Sequence, residues 1–450
     1  MNRIVWLCIM LCFTLPVFSQ IKGVVFDKKT QEPLPDAYIL TDSGSYVTNP
    51  SGRFMIQSAV KTLIVNHLGY LPDTLIIGSE DTLVNIQLIS TTTLLGQITI
   101  RGNLQKTTVL QMPSSIGYIS NLEQQLPNTI SYIESLNQVP GVYAQTGAYN
   151  TNRITIRGIG SRTPYATNRI KAYYNEIPLT TGDGTTEIED LNVSSIGSVE
   201  ILKGSKSALY GSGLGGVVVL NHPKYTDGIH GYARLDVASY QSITLGAGLQ
   251  YRQKGFFAGV DYSDVRSEGW RENSEYHRRN FNLNTGFSWT KSMLELTLLA
   301  IDTRANIPSS LNEEQLINTP ESAAQNWLEV KGYESYTKLI GGIKFKHYFN
   351  DNLQNAIHLF VHRYEGYESR PFNILDDDSQ NWGLRNITSL QLTKFKVQLG
   401  IETLFENYSW GIYETLSGIQ GQQKQQFSER RNPLTIFING QYQVADPGII

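Results

Sequence analysis

After Pro223 the chain settles into strict two-residue alternation, and nothing else in it constrains the fold as tightly. SITLGAGLQY, residues 242–251, puts Ile243, Leu245, Ala247, Leu249 and Tyr251 on one side and Ser242, Thr244, Gly246, Gly248 and Gln250 on the other. Phe256, Ala258, Val260 and Tyr262 alternate with Gly259, Asp261 and Ser263. The same holds for Phe281 to Trp289 and for Phe395 to Glu402. Side chains of a strand point to opposite faces with period two, so each segment has one apolar and one polar face. The pattern predicts about ten strands, near 230–238, 242–252, 255–264, 279–289, 293–302, 335–348, 354–364, 384–392, 394–406 and 432–444. Between them, brief turns near Lys254, Thr290, Asn350 and Thr393 alternate with long excursions at 265–278, 303–334, 365–383 and 407–431. A water-soluble sandwich has no reason to sort its connections by end, whereas a barrel in an outer membrane does. Tyr262, Trp289 and Tyr348, at strand ends, suit an interfacial aromatic girdle. The turn at Ala445–Gly448 follows the last strand. Plugged barrels close with about 22 strands, so the barrel is expected to be incomplete.

The N-terminus sets a compartment. Arg3 precedes the apolar run Ile4 to Phe18, which has the length of a secretory signal and is short for a membrane span. Cleavage is expected after Ser19, giving a signal peptide over 1–19. Cys8 and Cys12 both lie in that segment, so the mature chain is expected to hold no disulfide and no thiolate metal site. No later stretch reaches 18 apolar residues, so any return to a membrane is by strands. With 37 basic and 40 acidic residues, the balance gives no reason to expect nucleic acid.

Residues 20–92 read as short strands at 21–26, 37–41, 53–57, 61–67, 73–77 and 82–88. Pro33-Leu34-Pro35, Asn49 to Gly52 and Gly69-Tyr70 separate them, which predicts a small β-sandwich. The run G-V-V-x-D … P-L-x-x-A … G-x-F … G-Y resembles the carboxypeptidase regulatory-like domain, a transthyretin-like fold. His67 stands alone there, so a structural role is expected and no catalysis.

ILKGSKSALYGSGLGGVVVL, residues 201–220, raises the question of a phosphate-cradling loop. Lys203 precedes Gly204 rather than following a glycine run, and Val217 to Leu220 is β-branched and stops at Pro223. That is a strand, and a P-loop leads into a helix. Upstream, SYIESLNQVPGVYAQ (131–145) reads as a short amphipathic helix with a Pro140-Gly141 stop. RITIRGIGSR (153–162) is a strand entering Gly158 and Gly160, and IKAYYNEIPLTTGDG (170–184) is a hairpin opening into a glycine-rich loop. Together with 196–204, these blocks resemble the plug domain of TonB-dependent outer-membrane receptors, here over 104–224. Gly158, Gly160, Gly204, Gly211, Gly215 and Gly216 then serve sharp turns and close packing. The resemblance implies that Arg157 and Lys203 pin the plug to acidic residues of the barrel wall. Lys203 stands where arginine is usual and retains only a point charge. Within the linker 93–103, Gln97, Ile98, Thr99 and Ile100 resemble a TonB box, which adds as a strand to its partner through main-chain bonds. Gln97 stands where an acidic residue is common.

The expected architecture is therefore mainly β: a small β-sandwich, an α+β plug, and an antiparallel transmembrane β-barrel over 225–450. The resemblance implies a receptor that binds a bulky, scarce extracellular solute, a ferric siderophore above all, and imports it with a TonB partner. Cobalamin or a glycan is the alternative cargo, and a secreted β-rich adhesion or scaffold protein the alternative class. His358 and His362 share a strand face at about 13 Å, too far apart for one metal. Asp376-Asp377-Asp378 reads as the acidic tip of an outer loop, and Glu187, Glu189 and Asp190 as solvated acids. No enzymatic constellation, metal site or cofactor is expected.

Overall fold

The computed structural model describes residues 20–57, 60–78, 82–90, 99–100, 107–108, 115–120, 130–161, 167–204, 207–210 and 213–442. The signal segment 1–19, Gln97, Ile98 and Gly211 lie outside the described residues. The chain divides into two compact units, one up to Ile98 and one from Thr99.

The first unit has seven strands: β1 (Ile21–Asp27), β2 (Tyr38–Thr41), β3 (Gly44–Val47), β4 (Arg53–Ile56), β5 (Thr62–Asn66), β6 (Asp73–Ile76) and β7 (Leu83–Leu88). They form two sheets, ordered β4-β1-β7 and β3-β2-β5-β6, with β1 and β7 parallel. Alternate side chains enclose a core of Val25, Ile39, Ile56, Leu63, Val65, Ile86 and Leu88. Strand β3 went unseen in the sequence because Gly44, Ser45 and Tyr46 carry no apolar alternation.

In the second unit, β8 (Thr99–Ile100) pairs with β9 (Thr107–Thr108). Then come β10 (Ile116–Ser120), a 3₁₀ turn at Ile133–Gln138, and the hairpin β11 (Val142–Ala148) with β12 (Thr151–Ile156). β13 (Ile170–Tyr174), β14 (Ile177–Pro178), β15 (Ser198–Lys203) and β16 (Gly216–Asn221) complete the plug. Its sheet runs β10-β15-β16-β13-β14, with β13 and β16 parallel and the other pairs antiparallel. Two glycines show why the glycine-rich blocks are needed. Gly160 has φ +106°, and a Cβ there would lie 2.5 Å from the carbonyl of Ile154. Gly216 has φ +145°, and a Cβ there would strike the carbonyl of Leu202 on the paired strand. Gly158 and Gly204 also have positive φ, and Gly215 packs against Ile159 and Ile170.

The wall follows in strict chain order: β17 (Gly228–Ala238), β18 (Ser242–Gln253), β19 (Phe256–Ser267), β20 (Tyr276–Ser288), β21 (Ser292–Asn306), β22 (Tyr333–Tyr348), β23 (Leu353–Ser369), β24 (Ile374–Gln391), β25 (Phe395–Leu416), β26 (Ile419–Arg431) and β27 (Leu434–Tyr442). β26 and β27 are one pass in one register. Glu406 faces Arg431, Thr403 faces Leu434, and Leu404 N–H donates to the carbonyl of Pro433 between them. Pro433 has no N–H to offer the ladder, which interrupts the strand without shifting it. Joined in this way, the eleven segments make the ten passes that the alternation predicts.

Two of the four expected long excursions are corrected. Residues 268–275 and 307–332 are connections, the second carrying short helices at Glu313–Asn318 and Gln325–Glu329. Most of 365–383 and 407–431 is strand, turning only at 370–373 and 417–418. Asp376, Asp377 and Asp378 accordingly sit in β24 and not in a loop.

The wall is polar inside and apolar outside. Arg278, Asn280, Asn282, Asn284, Thr297, Lys338, His358 and Arg385 face inward and are 0–5% exposed. Leu245, Leu249, Leu294, Leu296, Leu339, Ile343, Leu399 and Ile401 face outward and are 38–58% exposed. The apolar band has edges. At the short-turn end stand Phe256, Phe287, Trp289, Tyr348, Phe395 and Tyr442, all exposed. Toward the other end the outward row turns charged, with Arg279 3.3 Å from Asp302 and Arg363 2.8 Å from Glu365. From Phe256 to Tyr262 is about 20 Å along one strand, close to the roughly 25 Å band of a barrel in lipid. No helix among the described residues is long and apolar enough to cross a membrane.

Candidate functional site: the seam between plug and wall

The plug packs against the inward row of the wall through an apolar centre and a set of buried polar contacts. Ile133, Leu136, Ile156, Ile170, Ala172, Val199, Ile201 and Val218 share one core with Leu299, Ile340 and Phe360 of the wall. Around it, the wall supplies amide and cationic side chains. Asn282 and Asn284 donate to the Tyr174 hydroxyl at 2.7 and 3.1 Å, and Asn175 donates to Asn284 Oδ1 at 2.8 Å. Arg278 is buried and gives its guanidinium to the carbonyls of Glu189 and Ile130. Arg385 donates to the carbonyl of Leu209, and Arg431 to that of Gly182.

Two ionic clusters stand out. In the first, Lys338 on β22 is buried between Glu187 and Asp190 of the plug, 2.6 Å from Asp190 Oδ2. Tyr336 donates its hydroxyl to Asp190 at 2.5 Å, and the Lys338 ammonium lies 4.2 Å from the centre of the Tyr336 ring. In the second, the two-residue turn of the β13–β14 hairpin carries Glu176 to the wall. Asn175 and Glu176 have φ of +49° and +73°, the left-handed pair of a two-residue hairpin turn, which suits Asn175 and is unusual for a glutamate. The Glu176 carboxylate is met from the wall: Lys344 Nζ is 2.6 Å and His358 Nε2 3.1 Å from it. Glu295 lies 3.9 Å from Lys344 and 3.3 Å from His222, which extends the chain of charges along the seam.

Burial alone would raise the Glu176 carboxyl, but Lys344 and His358 more than offset it and hold the group well below the ordinary carboxylate range. A depressed folded value means that the contact stabilises the seam fully above the ordinary glutamate value, about 4.3, and is lost as pH falls through the lower folded value. The hairpin should therefore stay anchored at neutral pH and loosen only below about pH 4. Amide exchange protection over residues 170–178, followed from pH 6 to pH 3, should fall in the unaltered chain. Glu176→Gln should remove that acid-dependent step, and an unchanged step would show that other carboxylates cause it.

The two expected pinning residues make contacts within the plug. Lys203 donates its amine to the carbonyl of Pro140 inside the plug, at 2.7 Å. Arg157 adopts φ +50°, its N–H donates to the Gly141 carbonyl, and its guanidinium lies near Gly204. The described ion pairs across the seam at β22 and β23 have the polarity opposite to that expectation: plug acids meet wall cations. Glu187 and Asp190, which read as solvated acids in the sequence, are central to it. His358 meets Glu176, and His362 Nδ1 faces the carbonyl of Thr180 at 3.3 Å. Among the described residues, no group of three or more His, Cys, Asp or Glu side chains is placed to hold a metal ion.

Comparison with known proteins follows these lines. Residues 108–218 match the family described as TonB-dependent Receptor Plug Domain. The fold is similar to that of the ferric citrate transporter FecA in its unliganded form over 75% of this chain and 62% of that one, with a TM-score of 0.60 at 14% identity. It is also similar to the pyoverdine outer membrane receptor FpvA from Pseudomonas aeruginosa PAO1, with a TM-score of 0.63 at 13% identity, over 79% of this chain and 58% of that one. The copper transporter OprC matches with a TM-score of 0.60 at 11% identity, over 75% and 53%. This chain thus spans between about half and three fifths of the length of the structures it matches. Residues 108–218 thus match the TonB-dependent receptor plug family, and the fold that holds them is similar to the folds of FecA, FpvA and OprC.

Proposed function

We propose that the protein is an outer-membrane receptor that binds a bulky, scarce solute outside the cell and admits it past the plug when a TonB-type partner supplies energy. A ferric siderophore is the first cargo to test. The observation that carries this reading is the pairing of an apolar outer band with a polar lining sealed by a separate plug. Such a wall suits lipid outside and a gated aqueous route inside. The solved relatives named above carry ferric citrate, pyoverdine and copper in their descriptions, which supports metal-complex uptake as a theme. A secreted adhesion module would need neither the apolar band nor the plug. Recovery of the protein in the soluble secreted fraction instead of the outer membrane would favour that module.

Energy coupling is assigned to Gln97, Ile98, Thr99 and Ile100. An added strand relies on main-chain groups, and proline removes an N–H and fixes φ. Ile98→Pro should abolish uptake of labelled ferric siderophore by energised cells while leaving surface binding intact, and Ile98→Val should do neither. Normal uptake by Ile98→Pro cells would place the coupling contact outside this linker.

A further inference from the structure

Across β20 to β23 the outward face of the wall carries a depression of about 390 Å³, where the apolar band gives way to charge. Register explains its shape. Phe281, Ala300, Leu339 and Arg363 make one outward row. Arg279, Asp302, Thr337 and Glu365 make the next, one step farther from the short turns. Ala300 and Thr337 are each smaller than both neighbours in their row, so the surface sinks there. The floor of Phe281, Ala300 and Leu339 continues through Leu298, Gly341 and Val361 into the band.

The floor calls for a molecule with a hydrocarbon tail, because it is one surface with the lipid-facing band. The rim selects the head, and it carries both signs. Arg279 pairs with Asp302 and Arg363 with Glu365, with side chains 37–61% exposed. Ion pairs so open to water hold weakly and exchange partners readily. A guanidinium matches phosphate, whereas a carboxylate accepts only from N–H or O–H donors. The order along β23 is informative: Arg363 lies one outward step nearer the band than Glu365. A phosphate next to the tail and an amine beyond it fit that order. A purely anionic head would set its phosphate against Asp302 and Glu365, and a quaternary amine has no N–H to give them.

We infer that this depression seats a membrane lipid whose head carries a phosphate and a primary ammonium. Arg363 and Arg279 take the phosphate, Glu365 and Asp302 take the ammonium beside Thr337, and an acyl chain lies over Ala300 and Leu339. The seat rests on the lipid-facing band and is independent of any imported solute.

The test uses the full chain in detergent, incubated with an equimolar mixture of phosphatidylethanolamine, phosphatidylcholine and phosphatidylglycerol of matched chains. Native mass spectrometry reads which lipid stays on the protein. Phosphatidylethanolamine should be retained about tenfold above each of the others. Arg363→Gln and Glu365→Gln each remove one charge at an exposed position with little change of size, so both variants should fold. Each should bring phosphatidylethanolamine down to the level of phosphatidylcholine. Ala300→Phe, which fills the floor and leaves every charge in place, should do the same. Free O-phosphoethanolamine has no chain to lay on the floor and should not displace the lipid. Equal retention of phosphatidylglycerol would overturn the inference, because the arginines alone would then select the head. Equal retention of phosphatidylcholine would also overturn it, as would folded variants that hold phosphatidylethanolamine like the parent. Displacement by free O-phosphoethanolamine would reduce the seat to a site for a soluble head and refute the lipid.

Discussion

Replacing Lys338 with methionine is expected to release the plug from the wall while leaving the wall folded. In the unaltered chain, one ammonium serves both Glu187 and Asp190, with its side chain only 2% exposed. Methionine keeps most of the hydrocarbon and removes the charge. Two carboxylates would then be left in a buried setting with no cation. Removing one partner of a buried pair costs about 3–5 kcal/mol, because the survivor stays desolvated. Burial already raises the Glu187 carboxyl, an effect that Lys338 only partly offsets, so loss of the lysine pushes it further toward the protonated form. Amide exchange in segment 186–190 and in the facing hairpin at 148–152 should accelerate by two or more orders of magnitude, with β21 to β23 unaffected. Adding Glu187→Gln and Asp190→Asn to Lys338→Met should restore much of the protection, since neutral amides do not need the cation. Protection unchanged in Lys338→Met would mean that apolar packing around Ile340 and Phe360 holds the plug without the ionic cluster.

The wall was legible in the sequence to the extent that its strands face two different solvents. Where apolar and polar side chains alternate, as at 242–251 or 395–402, face and strand follow directly. Legibility fails where a strand leaves the apolar band. Residues 419–431, IQGQQKQQFSERR, and 374–381, with three successive aspartates, have no apolar face to display. They are strands because β25 and its neighbours offer backbone partners, so pairing overrides residue preference. Several of the plug's glycine turns were readable because positive φ and missing Cβ atoms call for glycine, whereas β10 and β11 were not: 131–145 read as a short helix, and the chain forms a 3₁₀ turn at Ile133–Gln138 and then β11. Nor was the ionic seam. The alternation places Lys338, Lys344 and His358 on the inward face, but no local pattern says which plug residue each one meets. The one local hint was the Asn175-Glu176 turn, where an acid sits at a hairpin tip in a conformation it does not favour. For Arg157 and Lys203, which the family likeness directs to the wall, the described contacts are to the plug carbonyls of Gly141 and Pro140.

The outer band makes the second large prediction, and the register supplies its control. Ile343 lies opposite Leu296 on one side and Leu359 on the other, all three facing outward and at least 38% exposed. An arginine there would sit mid-band among lipid tails, at a cost of about 2–4 kcal/mol for a barrel near its midplane. Thr337 faces the same way on the same strand, six residues nearer the long connections. It lies between Asp302 and Glu365 in the charged outer row. Thr337→Arg would there meet two carboxylates and headgroup water, so it should cost nothing measurable. Refolding titrations of the full chain into lipid vesicles, with each variant against the parent, separate the two. Ile343→Arg should also lose most of its penalty in a detergent micelle, which deforms around a charge more readily than a bilayer. Equal penalties at Ile343 and Thr337 would refute the band as drawn, whereas a penalty at Ile343 that persists in every medium would mark that face as a protein contact instead of a lipid one.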